Sequence, residues 1–357
     1  MNTIAPGRPA LEPAIEAYLA AAMKGDRQTA VGIALDLLGE GEPPESIITH
    51  LLVGAQARIG EGWQTGTWSV AQEHRASAIA EAALQAVADA AMRAPGAIEE
   101  GSAGQAIVAC SEGEWHVLPG RMASEILRLR GCEVSYIGPS IPADLLVEMF
   151  EFDPPPAVAV TCSMPLSLVG SWATVSALRE LGMTVICGGR GYGPDGRWAQ
   201  AVGADVWAPT FEDGADALMA ALARPRVEPR PPMGSPDRTA ELNLLRQEGP
   251  TMVESAMALS LAAWPWLRES GNAVRATRVD LLATLQAASS AALVADGTLV
   301  HEYVEWFESV LAARDLPVAF VATAFDLLLD VVPPELTLVR AALMEGLATS
   351  SEAPMAR

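Results

Sequence analysis

The sequence predicts three consecutive domains: a helical bundle, an α/β domain with a parallel sheet, and a second all-helical domain. Residues 8–93 are rich in alanine with helical spacing, and residues 105–222 alternate short apolar runs with amphipathic stretches. Residues 239–357 again have helical spacing. Half of the 357 residues are hydrophobic and 19% are charged, so the chain can bury the cores of two or three domains.

Four helices fit the first segment, as in a helical bundle. We expect a helix to open at Pro43-Pro44, and a further break at three glycines, Gly60, Gly62 and Gly66. A flexible stretch rich in proline and glycine, residues 94–104, is expected to connect this bundle to the second domain.

Five apolar runs in the second segment are typical of buried strands, and the stretches between them of helices. Strands alternating with helices predict a flavodoxin-like parallel sheet covered on both faces. The expected strands are residues 105–110, 132–137, 157–162, 184–187 and 204–208, and the expected helices are residues 119–130, 142–150, 166–181 and 198–202, with a last one after Phe211.

A linker with five prolines, residues 223–238, should not be helical and separates the third segment from the sheet domain. The third segment is predicted to be helical throughout. Its breaks are expected at Pro265, Gly271, Gly297, Pro317 and Pro333-Pro334.

Charge and cysteine content limit the classes of partner and the compartment. With 23 basic and 44 acidic side chains the net charge is −21, which argues against binding to nucleic acid or anionic lipid. The four cysteines lie in apolar runs and are expected to be reduced core residues of a cytoplasmic protein. The first residues do not have the pattern of a signal peptide. The uncharged residues 154–178 contain four prolines and are interpreted as strand, loop and helix start, not as a membrane span.

In parallel sheets, ligands bind beyond the carboxyl ends of the strands, beside the first strand. The loop after the first strand places His116 there, with Glu114 two residues before it. A metal-binding imidazole usually donates its second N–H to a carboxylate, although a lone loop histidine is more often merely exposed. The loop after the fourth strand contains Gly188, Gly189 and Tyr192, which we also expect near a ligand. Neither a dinucleotide fingerprint nor a phosphate-binding P-loop is present.

These loops resemble the cobalamin-binding domain family, which has an acidic residue two before a histidine, then glycine, serine and a glycine pair. The matching residues are Glu114, His116, Gly120, Ser163 and Gly188-Gly189. The resemblance implies that His116 coordinates cobalt in place of the cofactor's benzimidazole. It also implies that the nucleotide tail enters a slot lined by Ser163, Gly188 and Gly189. In three places the sequence departs from the family pattern: Glu114 replaces the commoner aspartate, Pro119 takes a glycine position, and Pro165 replaces a leucine.

The helical bundle resembles the cap of the light-sensing, cobalamin-dependent repressors of carotenoid synthesis. Trp63 is followed ten positions later by Glu73-His74. The resemblance implies that Trp63 packs against the adenosyl group of adenosylcobalamin, with Glu73 and His74 at its border. Alone, the same pattern is more typical of a core tryptophan and a solvated helix face, and the neighbouring cobalamin-binding domain favours the functional interpretation. Gln64 occupies the position of a histidine that can bind cobalt after photolysis, and His74 is our candidate for that role.

The three-domain order resembles photocobilins, which pair adenosylcobalamin with the linear tetrapyrrole biliverdin. The third segment contains no cysteine, so a bilin bound within it would be non-covalent. Arginine suits the two propionates of a bilin, although the same residues fit a helix core with solvated cations. The candidate bilin-binding residues are His301, Tyr303, Trp306, Arg275, Arg278 and Arg314.

Three functions follow from these resemblances. The first is a light sensor that binds adenosylcobalamin and biliverdin and changes its oligomeric state or a contact with an output protein on illumination. The second is a corrinoid methyl carrier of a methyltransferase system, and the third is a cobalamin store or chaperone. The DNA-binding domain of the repressors is not found, no catalytic triad is evident, and no segment could supply a mutase barrel, so we expect neither DNA binding nor an enzyme.

Overall fold

The computed structural model describes residues 9–356. Residues 1–8, for which we expect no signal peptide, and residue 357 lie outside the described part. The first predicted residue of the bundle and the last of the C-terminal domain lie there too.

The N-terminal bundle, which we call the cap, has four helical rods. The third rod is continuous, because α3 runs through a π-helical segment, Ile47–Leu52, into α4. The Asp26 carboxylate caps α2 by accepting from Thr29 N at 3.1 Å, and Ser69 and Gln72 form a capping box on α5. The helices are α1 (Glu12–Lys24), α2 (Arg27–Gly39), α3 (Pro44–Ser46), α4 (Val53–Gln64) and α5 (Val70–Met92).

One predicted break in the cap is wrong in its position. Gly60 and Gly62 lie inside α4, and only Gly66, with φ +73°, lies in the turn that follows. Glycine in a helix costs about 1 kcal/mol relative to alanine, which is not enough to end a helix that packs well. At Gly62 the packing itself requires glycine, because a Cβ would lie 2.2 Å from the Trp68 ring.

The second domain confirms the predicted five-stranded sheet. All strands are parallel in the order β2-β1-β3-β4-β5, and the observed ends differ from the predicted ones by two residues at most. The strands are β1 (Gln105–Cys110), β2 (Glu133–Ile137), β3 (Ala157–Thr161), β4 (Thr184–Gly188) and β5 (Val206–Ala208). The helices are α6 (Val117–Leu129), α7 (Ala143–Phe150), α8 (Leu168–Glu180), α9 (Ala199–Val202) and α10 (Phe211–Leu222).

The third domain is helical, as predicted, and its five expected breaks all fall between or at the ends of helices. The linker prediction is wrong at its end, because α11 begins at Pro236. Proline is favourable in a first helical turn, and the Ser235 hydroxyl caps the helix by accepting from Arg238 N. The helices are α11 (Pro236–Ala263), α12 (Gly271–Val294), α13 (Thr298–Ala312), α14 (Phe320–Val331) and α15 (Thr337–Thr349).

The two helical domains pack on opposite faces of the sheet. The cap shares one hydrophobic cluster with the face covered by α6 and α10, and the C-terminal domain shares another with the face covered by α7 and α8. The four cysteines are buried and free, as expected for core residues. Among residues 9–356, no helix combines the length and apolar character needed to cross a membrane.

Candidate functional site

The predicted site lies at the carboxyl edge of the sheet, where β1 and β3 are neighbours. The chain leaves β1 after Cys110 and forms a short loop, which we call the histidine loop, before α6 begins at Val117. His116 is the N-cap residue of α6. Because α6 crosses over to β2 and α7 leads on to β3, this edge is the switch point where open parallel sheets bind ligands.

Glu114 and His116 form a tight pair in the histidine loop. Glu114 Oε1 lies 2.6 Å from His116 Nδ1 and accepts from the His116 backbone N at 2.7 Å. The other oxygen, Oε2, accepts from Ser163 N at 2.5 Å and Met164 N at 3.3 Å. One buried carboxylate therefore joins the loop after β1 to the loop after β3.

This pair leaves the second imidazole nitrogen available to a metal. The His116 side chain is 58% exposed, while that of Glu114 is 1% exposed. With Nδ1–H donating to the carboxylate, Nε2 presents its lone pair, and no hydrogen bond to it is found within residues 9–356. A buried acceptor behind an accessible imidazole is the usual arrangement at a histidine metal ligand.

The pKa shifts of Glu114 and His116 agree with this arrangement. The hydrogen bond with Glu114 raises the pKa of His116, with a smaller contribution from the charge of Glu73. Burial pushes the pKa of Glu114 upward, but its hydrogen bonds to His116 and to Ser163 N, together with the charge of His116, outweigh burial, and the pKa is lowered. The carboxylate thus stays ionised and makes the imidazole a stronger electron donor.

The loops after β3 and β4 form a close-packed cradle beside this pair. Gly189 has φ +113°, and a Cβ there would lie 2.3 Å from Cys162 O. At Gly188 the nearest atom to a Cβ is Ala208 O at 4.0 Å, so the backbone here is open to an approaching group. The Ser163 hydroxyl is buried and has no hydrogen-bond partner within the described residues. Because buried hydroxyls are rarely left unpaired, this atom suits the polar group of a ligand.

Two predicted site residues have packing roles. A Cβ on Gly120 would lie 2.8 Å from Tyr136 Cε2, so glycine there lets α6 sit close to the sheet. Tyr192 is fully buried, and its hydroxyl lies 2.7 Å from Ser171 Oγ. That burial argues against the predicted contact of Tyr192 with a ligand, because the side chain faces the core under α8.

Of the three predicted cap residues, Glu73 lies close enough to the histidine loop for its charge to raise the pKa of His116. Glu73 and His74 lie in the first two turns of α5 and pair with each other. Ser77 donates to Glu73 Oε1 at 2.9 Å. Trp63 lies near the end of α4, where the third domain reaches the cap.

The predicted bilin-binding residues do not converge on one cleft. Tyr303 is buried, and its hydroxyl lies 2.9 Å from Thr284 Oγ1 in a group of aromatic rings that includes Trp306. Arg314, just after α13, packs over the Trp63 ring of the cap. The other three are held elsewhere: His301 pairs with Glu345, Arg275 with Asn272, and Arg278 with Glu254.

Sequence reasoning missed two residues at the site. Glu112, in the histidine loop, forms an ion pair with Arg246 of α11. Glu112 could have been recognised from the sequence, because it lies two residues before Glu114 in the same loop. Arg246 lies 134 residues further along the chain, and no local pattern indicates it.

The fold and the donor set together fit a corrinoid. The loop after β1 carries an accessible imidazole backed by a buried carboxylate. The loops after β3 and β4 carry an unpaired hydroxyl and the glycine cradle. A corrinoid would place its metal at the first of these loops and its tail at the other two. Cobalt would be held by His116, and the tail by the cradle of Ser163, Gly188 and Gly189. These features define a cobalamin-binding domain beneath a helical cap.

Comparison with protein families gives the same class. Residues 14–88 match the family model B12-binding_2, and residues 104–219 match the model B12-binding, each described as a B12 binding domain. The chain is a cobalamin-binding protein with a helical and an α/β B12-binding domain. A search of curated proteins found no match.

One solved structure of a corrinoid protein has a similar fold, and two further structures align with lower TM-scores. A monomethylamine corrinoid protein of Methanosarcina barkeri aligns with a TM-score of 0.51 and 17% identity, over 59% of this chain and 99% of that chain. A cobalamin-binding protein of Desulfitobacterium hafniense DCB-2 aligns at 0.31 and 20%, over 58% and 98%. A methanol:cobalamin methyltransferase complex of Methanosarcina barkeri aligns at 0.30 and 18%, over 60% and 82%. At these identities the first likeness shows the fold alone.

Proposed function

We propose that this cobalamin-binding protein is a light sensor that carries adenosylcobalamin and does not itself act as an enzyme. In this proposal His116 holds cobalt from below, and Trp63, Glu73 and His74 border the upper ligand. Adenosylcobalamin, when bound, supplies a cobalt–carbon bond that visible light breaks. The chain's own residues would orient the cofactor and convert loss of the upper ligand into movement of the cap.

The proposal depends on one contact, in which Trp306 and Arg314 of the C-terminal domain pack against Trp63. The Trp63 and Trp306 rings lie 6.1 Å apart between centroids at an interplanar angle of 30°. The Arg314 guanidinium lies 5.0 Å from the Trp63 ring centroid and donates to Trp63 O at 2.7 Å. The upper-face tryptophan is therefore connected to a third domain of the same chain, which favours an internal signal over an open face for a partner enzyme.

Neighbouring contacts extend this attachment around the end of α4. Gln64 donates to Ser309 Oγ at 3.3 Å, and a Cβ on Gly66 would lie 2.8 Å from Ala313 O. Trp63 packed on an adenosyl group would lose that contact when the group departs. Close-packed interfaces respond to such a loss by switching between arrangements, so the contact with α13 would be made or broken as a unit.

The test is to load the protein with adenosylcobalamin in the dark and then illuminate it. We expect the absorption spectrum to change to that of a cobalamin without its alkyl group, and the elution volume in size-exclusion chromatography to change with it. If neither changes, light sensing by this route is wrong.

A variant separates photolysis from signalling. In Trp306→Ala we expect the absorption change to remain, because the cofactor site is intact, and the change in elution volume to be reduced. Phe152→Ala is the control, since it removes a ring that is 93% exposed just after α7, at the end of that helix that leads into β3. Equal responses of the two variants would remove α13 from the mechanism.

The second candidate is a corrinoid methyl carrier. The observation that favours it is the span of the corrinoid protein of Methanosarcina barkeri, 99% of which aligns with this chain. A methyl carrier would bind methylcobalamin at least as tightly as adenosylcobalamin and would transfer its methyl group to a thiol acceptor. A store or chaperone would bind either form with no change in elution volume on illumination.

Biliverdin binding stays a prediction. The candidate residues are divided among separate places on the C-terminal domain, so the proposal rests on cobalamin alone. Expression with both cobalamin and biliverdin available tests the bilin directly, because a bound linear tetrapyrrole would add a red absorption band that survives removal of free pigment.

A further inference from the structure

The C-terminal domain also reaches the lower side of the site, through a second and separate contact. Arg246, on α11, forms a forked ion pair with Glu112 of the histidine loop. Arg246 Nε lies 2.9 Å from Glu112 Oε1, and Nη2 lies 2.7 Å from both carboxylate oxygens. The two side chains are 29% and 22% exposed, so solvent screens this pair less than a surface pair.

Glu112 is held from two further sides. Its Oε2 accepts from Ala143 N, the first residue of α7, at 3.0 Å, and its backbone N donates to Thr174 Oγ1 of α8 at 3.0 Å. Gly170 lies so close that a Cβ there would meet Glu112 O at 1.9 Å. Three helices thus fix the start of the histidine loop, and one of them belongs to the C-terminal domain.

The other end of the same loop holds the imidazole. From Glu112 to His116 the chain has only Gly113, Glu114 and Trp115 between them, and Gly113 N donates to Ser140 Oγ at 3.1 Å. Glu114 then fixes the imidazole through Nδ1. A displacement of Glu112 would therefore shift the backbone that carries both Glu114 and His116, since so short a segment has little slack.

We propose that Arg246 is a positioning residue for His116: through Glu112 it sets where the imidazole stands beneath the corrin ring. Arg246 itself touches neither His116 nor Glu114. The proposal rests on His116 as the cobalt ligand but not on light sensing. It makes the C-terminal domain part of the lower axial site, in addition to its contact with Trp63 above.

The experiment compares Arg246→Met, which keeps the apolar stem, with Arg246→Lys and with the control Arg128→Met. Arg128 forms a similar forked pair with Glu100, at 3.0 and 3.2 Å and 23% exposure, at the far end of α6. Each variant is loaded with cobalamin, reduced to the Co(II) state, and measured by electron paramagnetic resonance with ¹⁴N- and ¹⁵N-histidine. The hyperfine splitting changes with the isotope only where a histidine nitrogen binds cobalt.

In Arg246→Met we expect a reduced fraction of histidine-bound cobalt and cobalamin affinity about 10-fold weaker, the lower end for residues that orient a metal ligand. Arg246→Lys should recover part of both, because lysine keeps the charge without the fork. Arg128→Met should match the parent. A folded Arg246→Met that keeps the parent's isotope-dependent splitting and affinity overturns the proposal.

A second variant and an apoprotein measurement cover the other outcomes. Glu112→Gln removes the charge but keeps an acceptor for Ala143 N, and it should shift the His116 ring signals in the NMR spectrum of the apoprotein, as Arg246→Met should. If these signals stay in place in both variants, the proposal fails. If the parent shows no isotope-dependent splitting, the assignment of His116 as ligand fails, while the NMR result still decides whether Arg246 positions the ring.

Discussion

The cap and the C-terminal domain are both helical and both cover the sheet, but they are fastened to it at different places. The cap is tied at the end of α6 remote from His116, where Arg130 donates to both oxygens of Glu45 at 3.0 and 2.8 Å. The C-terminal domain is tied at the site itself, where Arg246 holds Glu112. At 1.5 Å per residue, the two attachments lie about 20 Å apart along α6.

This difference suggests which parts of the site can move. Near His116 the cap's ion pair is that of Arg121 with Glu81, whose side chains are 45% and 35% exposed. Exposed pairs contribute little stability. The residues proposed to border the upper ligand therefore belong to the domain whose firm attachment to the sheet domain is remote, and near the site the cap is held by the contact of Trp63 with Trp306 and Arg314. The proposed lower ligand belongs to a loop held by three helices. A cap that swings about its far end above a fixed histidine is the simplest motion consistent with this arrangement.

The largest expected effect is on cobalamin binding, and it tests the lower part of the site, which contains Glu114 and His116. His116→Ala should weaken cobalamin binding by more than about 100-fold, because it removes the ligand that residues such as Glu114 merely orient. Glu114→Gln should weaken cobalamin binding by about 10- to 100-fold. Titration of the apoproteins with cobalamin, followed by absorption, measures both. Unchanged affinity and spectrum in His116→Ala would contradict the whole cobalamin site.

The positions of these lower residues followed from the sequence, whereas those of the bilin candidates did not. In a parallel sheet, carboxyl ends of strands share one edge, so finding β1, β3 and β4 was enough to place His116, Ser163 and Gly188 on neighbouring loops. His301 lies in the first turn of α13 and Arg314 follows the end of that helix, so local spacing does not bring them together and only tertiary packing decides which surfaces meet. Arg246 shows the same limit, because its partner is distant in sequence.

The next effect concerns the cradle. Gly189→Ala should lower the free energy of unfolding by about 2–3 kcal/mol, since alanine at φ +113° is strained and its Cβ would meet Cys162 O. Urea unfolding of the apoprotein is the measurement. Equal stability of the variant and the parent would mean that the loop after β4 is not packed as described.

Gly188→Ala is the matched control, because a Cβ there meets only Ala208 O, at 4.0 Å. Its stability should equal that of the parent. If Gly188 lines the tail slot, the added methyl group should weaken cobalamin binding by about 10-fold and leave cobinamide, which has no nucleotide tail, unaffected. Equal losses for both ligands would move the tail elsewhere.

A pH-dependent effect probes the C-terminal domain. Burial raises the pKa of Asp280 to about 6 from its ordinary 3.8, so the folded state favours the protonated acid. Protonation of Asp280 makes its full contribution to the free energy of unfolding below the pKa that this carboxyl has in the unfolded state. The contribution is lost as the pH rises through about 6. Asp280→Asn should therefore raise the free energy of unfolding by about 1–3 kcal/mol at neutral pH, and by much less in acid. An equal gain at both pH values would exclude titration as its cause.

The smallest effect sharpens the comparison between the two ends of the cap. Glu45→Gln leaves the guanidinium of Arg130 without its forked partner and should cost about 1 kcal/mol of stability, whereas Glu81→Gln, at an exposed pair, should cost less than about 0.5 kcal/mol. Amide hydrogen exchange shows which of the two attachments holds the cap. If the cap pivots at its far end, Glu45→Gln should speed exchange throughout α3 and α4, and Glu81→Gln should leave it unchanged. Faster exchange in Glu81→Gln alone would place the firm attachment at the site end, and the cap could not swing open as inferred.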